Sequence, residues 1–221
     1  MIAKQLITSH VIPLKSTDTG AFALSQMEEA RLSHLPIVDG VELLGVISDK
    51  EILAVDEPDT GIGDYKITLT SAFVTEEQHI YEVLKIFISL NLTMLPVVSI
   101  QNNYMGAIVL PTVVHSLGDM IGILNPGGII VLEINEKGHS LTEIVQIVET
   151  NDSKILSCFV TSVPDSTQLE VTIKVNRIEI GPLLQAFFRL NYPVKASWSA
   201  ENLYSEGLQD RFDALMNYLN I

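Results

Sequence analysis

Ser48, Lys50 and Glu51 put a hydroxyl, an ammonium and a carboxylate within four residues, just ahead of the apolar Ile52-Leu53. Ser48-x-x-Glu51 is the spacing of a capping box, in which the hydroxyl accepts from the helix backbone and the carboxylate reaches back to the cap. Asp49 then falls in the first turn, where the helix dipole favours an acid. An uncovered helix start is also an anion site, and Lys50 would add positive charge beside it. The histidines (His10, His34, His79, His115, His139) are dispersed without metal-ligand spacing. Glu28-Glu29 and Glu76-Glu77 read as solvated helix faces or helix starts. Gly61-Ile62-Gly63 lacks the further glycines, the lysine and the strand-then-helix context of a phosphate loop. The sequence carries no Gly-x-Ser-x-Gly elbow, Cys/His signature or Walker motif. The expectation is a protein that is not an enzyme and needs no cofactor or metal.

These residues are positioned by an internal repeat. Leu35-Pro36-Ile37-Val38 returns as Leu95-Pro96-Val97-Val98, and Gly20, Ala23, Leu24 and Met27 return as Ile80, Val83, Leu84 and Phe87. The second set has the spacing of one face of an amphipathic helix. Gly45-Val46-Ile47 matches Gly106-Ala107-Ile108 after a one-residue insertion. Each copy reads as β-α-β-β-α: a lead-in (Val11 to Lys15; Ala72 to Thr75), a helix, a hairpin and a short helix. Asp39-Gly40 signals the first hairpin turn and Gln101-Asn102-Asn103 supplies the second. A sheet this small leaves apolar surface that packing two copies together would bury.

Composition sets the outer limits. A 221-residue chain that is 47% hydrophobic can build more than one core. A net charge of −14, with only 13 scattered Lys and Arg, argues against nucleic acid and anionic membrane surfaces as partners. The N-terminus lacks the apolar core of a signal peptide. The apolar stretch Met120 to Ile134, broken at Asn125-Pro126-Gly127-Gly128, is too short to span a bilayer. Cys158 is the single cysteine, which fits a reducing cytoplasm. It is expected to be an inert buried thiol, because it lies in the apolar run Ile155 to Val160.

The Leu-Pro-hydrophobic-Val strand, followed by Gly-hydrophobic-hydrophobic-Ser-x-x-acidic, resembles the CBS domain. Two in tandem resemble the CBS pair, or Bateman module, over roughly residues 1–120. The resemblance implies a regulatory module that senses an adenine nucleotide, AMP or another adenosine derivative, and that pairs as a homodimer. It implies a ligand set of Ile12, Pro13, His34, Pro36, Val38, Ser48, Lys50 and Glu51. In that set Ser48 contacts phosphate, Glu51 accepts from the ribose hydroxyls through charge-assisted bonds, and His34 stacks on the base. In the second copy Val109-Leu110-Pro111-Thr112 replaces Ser48-Asp49-Lys50-Glu51, so that motif reads as degenerate. The net charge disfavours a triphosphate, and AMP or an uncharged adenosine derivative is expected to bind better than ATP.

From Gly128 onward the order is βαββαβ, the ferredoxin-like plan. Ser140 with Glu143 reads as a capping box ahead of a helix whose apolar face is Leu141, Ile144, Val145 and Val148. Pro164-Asp165-Ser166-Thr167 reads as a turn, and Tyr192 to Trp198 as an edge-like last strand. After a CBS pair this unit resembles an ACT domain, and the domain order resembles the acetoin-utilisation accessory family. That family's amino-acid loop would fall at Asn135-Glu136-Lys137-Gly138-His139-Ser140. Tyr204, Leu208, Phe212, Leu215 and Leu219 form the apolar stripe of a C-terminal helix, packed on its own domain, on a dimer mate or on a protein partner. The expected whole is α+β: two β-α-β-β-α repeats packed as a pseudo-twofold pair (1–60 and 61–124), then an ACT-like domain (125–221). The competing reading is a structural or protein-interaction module with empty pockets.

Overall fold

Thr19 starts the first helix, α1 (Gly20–Ala30), by accepting from Phe22 N–H through its side chain, and Arg31 ends it in the left-handed conformation at φ 55°. Leu32 N–H returns to Met27 O at 2.9 Å, closing the C-terminal turn. Strands β1 (His34–Asp39) and β2 (Glu42–Ser48) then pair antiparallel, and α2 (Asp49–Leu53) follows. The same order returns in β3 (Val74–Thr75), α3 (Ile80–Leu90), β4 (Met94–Val98), β5 (Tyr104–Val109) and α4 (Leu110–Met120). The computed structural model describes residues 1–55, 59–65, 69–135, 140–164 and 166–199. The loop at 136–139, Asp165 of the expected turn, part of the acidic linker (56–58) and the C-terminal stripe (204–221) lie outside the described residues.

The fold is α+β, in two units, Met1–Leu117 and Gly118–Ile221. In the first unit the repeats are equivalent. Leu14 bridges Ile37 in parallel just as Val74 pairs with Val97, and Leu35 and Leu95 are both buried. Asp49 N–H donates to Ser33 O (3.0 Å) where Leu110 N–H donates to Thr93 O (3.2 Å).

The segments leading into the repeats are exchanged. A 3₁₀ turn at Ala3–Leu6 buries Ala3 and Leu6 in the core of α3, β4 and β5, and Thr8 bridges Ala107. A 3₁₀ turn at Ile62–Asp64 sends Ile62 and Tyr65 into the core of α1, β1 and β2, and Thr70 bridges Val46. Two equivalent glycines admit these crossings. Gly45 and Gly106 have φ of 155° and 145°, and a Cβ on them would lie 2.7 Å from Leu69 Cβ and 2.5 Å from Ile7 Cγ2 respectively. Only glycine suits both the dihedral and the close approach.

The second unit is β6 (Ile129–Asn135), α5 (Leu141–Thr150), β7 (Ile155–Ser162), β8 (Gln168–Val175), α6 (Gly181–Arg189) and β9 (Val194–Trp198). Its sheet order is β7-β8-β6-β9 with every pairing antiparallel, the ferredoxin-like arrangement. Ile130, Leu132, Val171, Ile173 and Val175 face Ile144, Ile147, Val148, Leu183 and Phe187 in one core.

Three expectations are corrected here. Cys158 is exposed, because β7 is an edge strand with β8 as its one strand neighbour. Desolvation still pushes its thiol pKa up, which keeps it protonated and a poor nucleophile. Ser140 makes no side-chain cap, and the Glu143 carboxylate that would reach back to it accepts from the Tyr192 hydroxyl instead. Burial, reinforced by that bond, pushes the Tyr192 pKa up to about 12. The buried face of α5 is Ile144, Ile147 and Val148, with Leu141 and Val145 exposed.

Candidate functional site

At the start of α2 the capping box is complete. Ser48 Oγ accepts from Glu51 N–H at 3.2 Å, while Glu51 Oε2 accepts from Ser48 N–H and from Ser48 Oγ–H, both at 2.7 Å. Asp49 Oδ1 accepts from Lys50 N–H at 2.7 Å, and Lys50 itself is exposed. His34 pairs with Ser48 across the hairpin, so His34, Ser48, Lys50 and Glu51 gather at one end of β1. Pro36 and Val38 lie further along β1 and are buried. Ile12 and Pro13 precede Leu14, which pairs alongside Pro36 and Val38. Ile12 is 63% exposed and lines a hollow of about 290 Å³ with His10, Gln26, Glu29, Ala30 and Leu35. The expected residues thus fall into three surroundings. Ser48→Ala is expected to lower stability by about 1 kcal/mol through loss of the cap, measured by urea unfolding.

A second cavity of this unit lies beside the start of α4. It measures about 600 Å³ and is lined by Thr8, His10 and Val11 of the lead-in, Ala30, Arg31 and Leu32 at the end of α1, Thr93 ahead of β4, and Val109 to Thr112. Val109-Leu110-Pro111-Thr112 is the segment whose residue types read as degenerate. Here it supplies an apolar wall, a hydroxyl and the first turn of an 11-residue helix. A helix start of this kind is electropositive. None of the lining residues is Asp or Glu, and Arg31 is among them. Arg31 holds the left-handed conformation, which costs a residue with a Cβ about 1 kcal/mol or more. The equivalent helix end carries Asn91 at φ 50°, a residue type that tolerates this region.

Thr93 joins the cavity to the α2 end. Its Oγ1 accepts from Ser33 N–H at 3.1 Å and lies 3.1 Å from His34 Nδ1, and its own N–H donates to that nitrogen at 3.4 Å. Burial pushes the His34 pKa down, Asp49 and Glu51 push it up, and Lys50 pushes it down; burial is the largest effect.

Sequence reasoning did not single out Thr8, Val11, Arg31 or Thr93 for a ligand, because their types carry no motif. The available signal was the repeat, since Arg31 and Thr93 stand sixty residues from Asn91 and Ser33. Among the described residues no group of three or more His, Cys, Asp or Glu could hold a metal ion, and no helix is long and apolar enough to cross a membrane.

Comparison with solved structures finds a CBS domain pair/ACT domain protein from Thermotoga maritima at 24% identity, covering 54% of this chain and 98% of that one, with a TM-score of 0.49. CBSX2 in complex with AMP matches at 21% identity, covering 53% and 96%, with a TM-score of 0.47. The CBS domains of a transcriptional regulator from Streptococcus pneumoniae match at 22% identity, covering 52% and 98%, with a TM-score of 0.46. The segment that builds α1, β1, β2 and α2, residues 3–57, matches the family model described as the CBS domain.

Proposed function

We propose that the first unit is a non-catalytic regulatory module that takes AMP or another adenosine derivative in the cavity beside α4. The observation that carries this reading is Arg31, a cation held in an unfavourable backbone conformation at the wall of an apolar cavity of about 600 Å³. A cavity of that size suits a nucleoside monophosphate. Its apolar walls suit a base, and Arg31 suits a phosphate. A chain of net charge −14 repels a triphosphate more than a monophosphate.

Calorimetry with AMP, adenosine and ATP tests this, with AMP expected to bind tightest. Absence of binding by all three would leave the interaction-module reading in its place. A second placement is favoured by the gathering of His34, Ser48, Lys50 and Glu51 at the α2 start, with Glu51 taking the ribose. It requires Glu51 to give up the cap, and it predicts that Glu51→Ala weakens AMP binding about tenfold or more. The cavity placement predicts unchanged affinity. We further propose that the module pairs as a homodimer through helix faces left apolar, such as Tyr81 and Ile88 on α3 and Val114 on α4. Light scattering that finds monomer alone at micromolar concentration would count against pairing. The acetoin-utilisation resemblance, a cytoplasmic setting and amino-acid binding by the second unit belong to the same proposal.

A further inference from the structure

We propose that His34 sets the hydrogen-bond polarity of Thr93, so that the cavity selects a ligand bearing an amino group over its keto analogue. The proposal rests on the cavity being the nucleotide site. Thr93 N–H points at His34 Nδ1 from 3.4 Å, and we take that nitrogen as the acceptor, with the ring proton on Nε2. With Nδ1 an acceptor, the contact at 3.1 Å between Thr93 Oγ1 and Nδ1 is donated by the hydroxyl and shares the nitrogen's one lone pair with the longer Thr93 N–H contact. Ser33 N–H already occupies one lone pair of that oxygen at 3.1 Å. Thr93 therefore has no proton to offer and one lone pair remaining, and it lines the cavity. In the proposed arrangement that lone pair is the acceptor Thr93 offers to the cavity. An adenine amino group satisfies it, whereas the carbonyl of hypoxanthine sets acceptor against acceptor. The equivalent residues of the other repeat, Ser33 and Met94, cannot reproduce the device, because Met94 has no ring nitrogen.

Protonation reverses the arrangement. The imidazolium donates from both nitrogens, so Nδ1 releases the Thr93 hydroxyl proton and repels Thr93 N–H. Asp49 and Glu51 favour the charged ring; Lys50 and burial oppose it, and burial prevails. Arg31 and a second imidazole, His10, line the same cavity. Because the folded chain holds the ring less basic than the unfolded chain does, its contribution to stability is intact above the ordinary histidine range. It is lost as pH falls from there towards the folded-state pKa.

The experiment uses the full chain and two probes, AMP and IMP, by calorimetry at pH 8 and again below the His34 titration. Wild type at pH 8 is expected to favour AMP by about tenfold or more. The preference should narrow to within about threefold on acidification, and at both pH values in His34→Met, which copies the equivalent position. Nitrogen-15 NMR of wild type, which needs no variant to fold, is expected to show the Nε2–H tautomer and titration below the ordinary histidine range. An Nδ1–H tautomer overturns the inference. AMP and IMP bound equally at pH 8, or a preference undiminished in His34→Met, overturns it and leaves the proposed function standing. Failure of wild type to bind either nucleotide overturns both.

Discussion

Arg31→Gly is expected to bind AMP about 10- to 150-fold more weakly while unfolding at nearly the same temperature. The two effects have separate causes. Arg31 adopts φ 55° at the end of α1, where glycine carries no Cβ penalty and gains a few tenths to about 1 kcal/mol. It also gives up a cation at a helix C-terminus, a loss of about 0.3–1 kcal/mol when exposed, so the two changes nearly cancel and the net change in stability is small. In the cavity, by contrast, nothing replaces the guanidinium. Loss of a hydrogen bond to a charged phosphate costs about 1.5–3 kcal/mol, which is the stated range of affinity. Adenosine, lacking the phosphate, should bind parent and variant alike. Calorimetry with both probes, with a melting curve on each protein, checks the result. An equal loss for AMP and adenosine would mean that Arg31 shapes the wall and does not meet the phosphate. Unchanged AMP affinity would remove Arg31 from the site.

Gly106→Ala is expected to cost about 2–5 kcal/mol, the sum of a strained dihedral and an overpacked contact. The φ of 145° disfavours any residue with a Cβ, and that Cβ would arrive 2.5 Å from Ile7 Cγ2. Ile7 is branched and its neighbour Thr8 is pinned by a hydrogen bond to Ala107 O at 2.9 Å, so the lead-in has little room to retreat. If it lifts, Thr8 and His10 leave the cavity wall with it, and AMP binding should weaken in the fraction that remains folded. Denaturant unfolding gives the stability change. A loss below about 0.5 kcal/mol would show that the lead-in is loosely held, and the crossing described above would then be wrong at this point.

The repeat and the ferredoxin-like order were legible because both are set by local patterns. Helical spacing over Gly20 to Met27, Leu-Pro strands sixty residues apart and strict alternation in Leu169 to Val175 each point to one element. What local pattern cannot supply is the far partner. Ser140 and Glu143 have capping-box spacing, yet the carboxylate goes to Tyr192, 49 residues away. Cys158 sits in an apolar run, but apolarity does not reveal that its strand lies at the sheet's edge. The Ser48-Glu51 pair was read correctly as a capping box. The cavity was not legible, because its wall is drawn from four separated segments. Val109 to Thr112 line it as well, and their residue types carry no motif that would announce a wall.

The exchange of lead-ins has a consequence for how the chain is made. Residues 3–8 are a structural piece of the second repeat, and residues 62–65 with 69–70 are a piece of the first. During synthesis the first repeat therefore emerges with part of its core still inside the ribosome. Its earliest residues must meanwhile wait for partners as distant as Gln78 and Ala107. Contacts so far apart in sequence slow folding and leave apolar surface uncovered in the interval. The pair should consequently acquire protease resistance in one late step, after the second hairpin is complete, and nascent chains arrested before β5 should remain sensitive throughout.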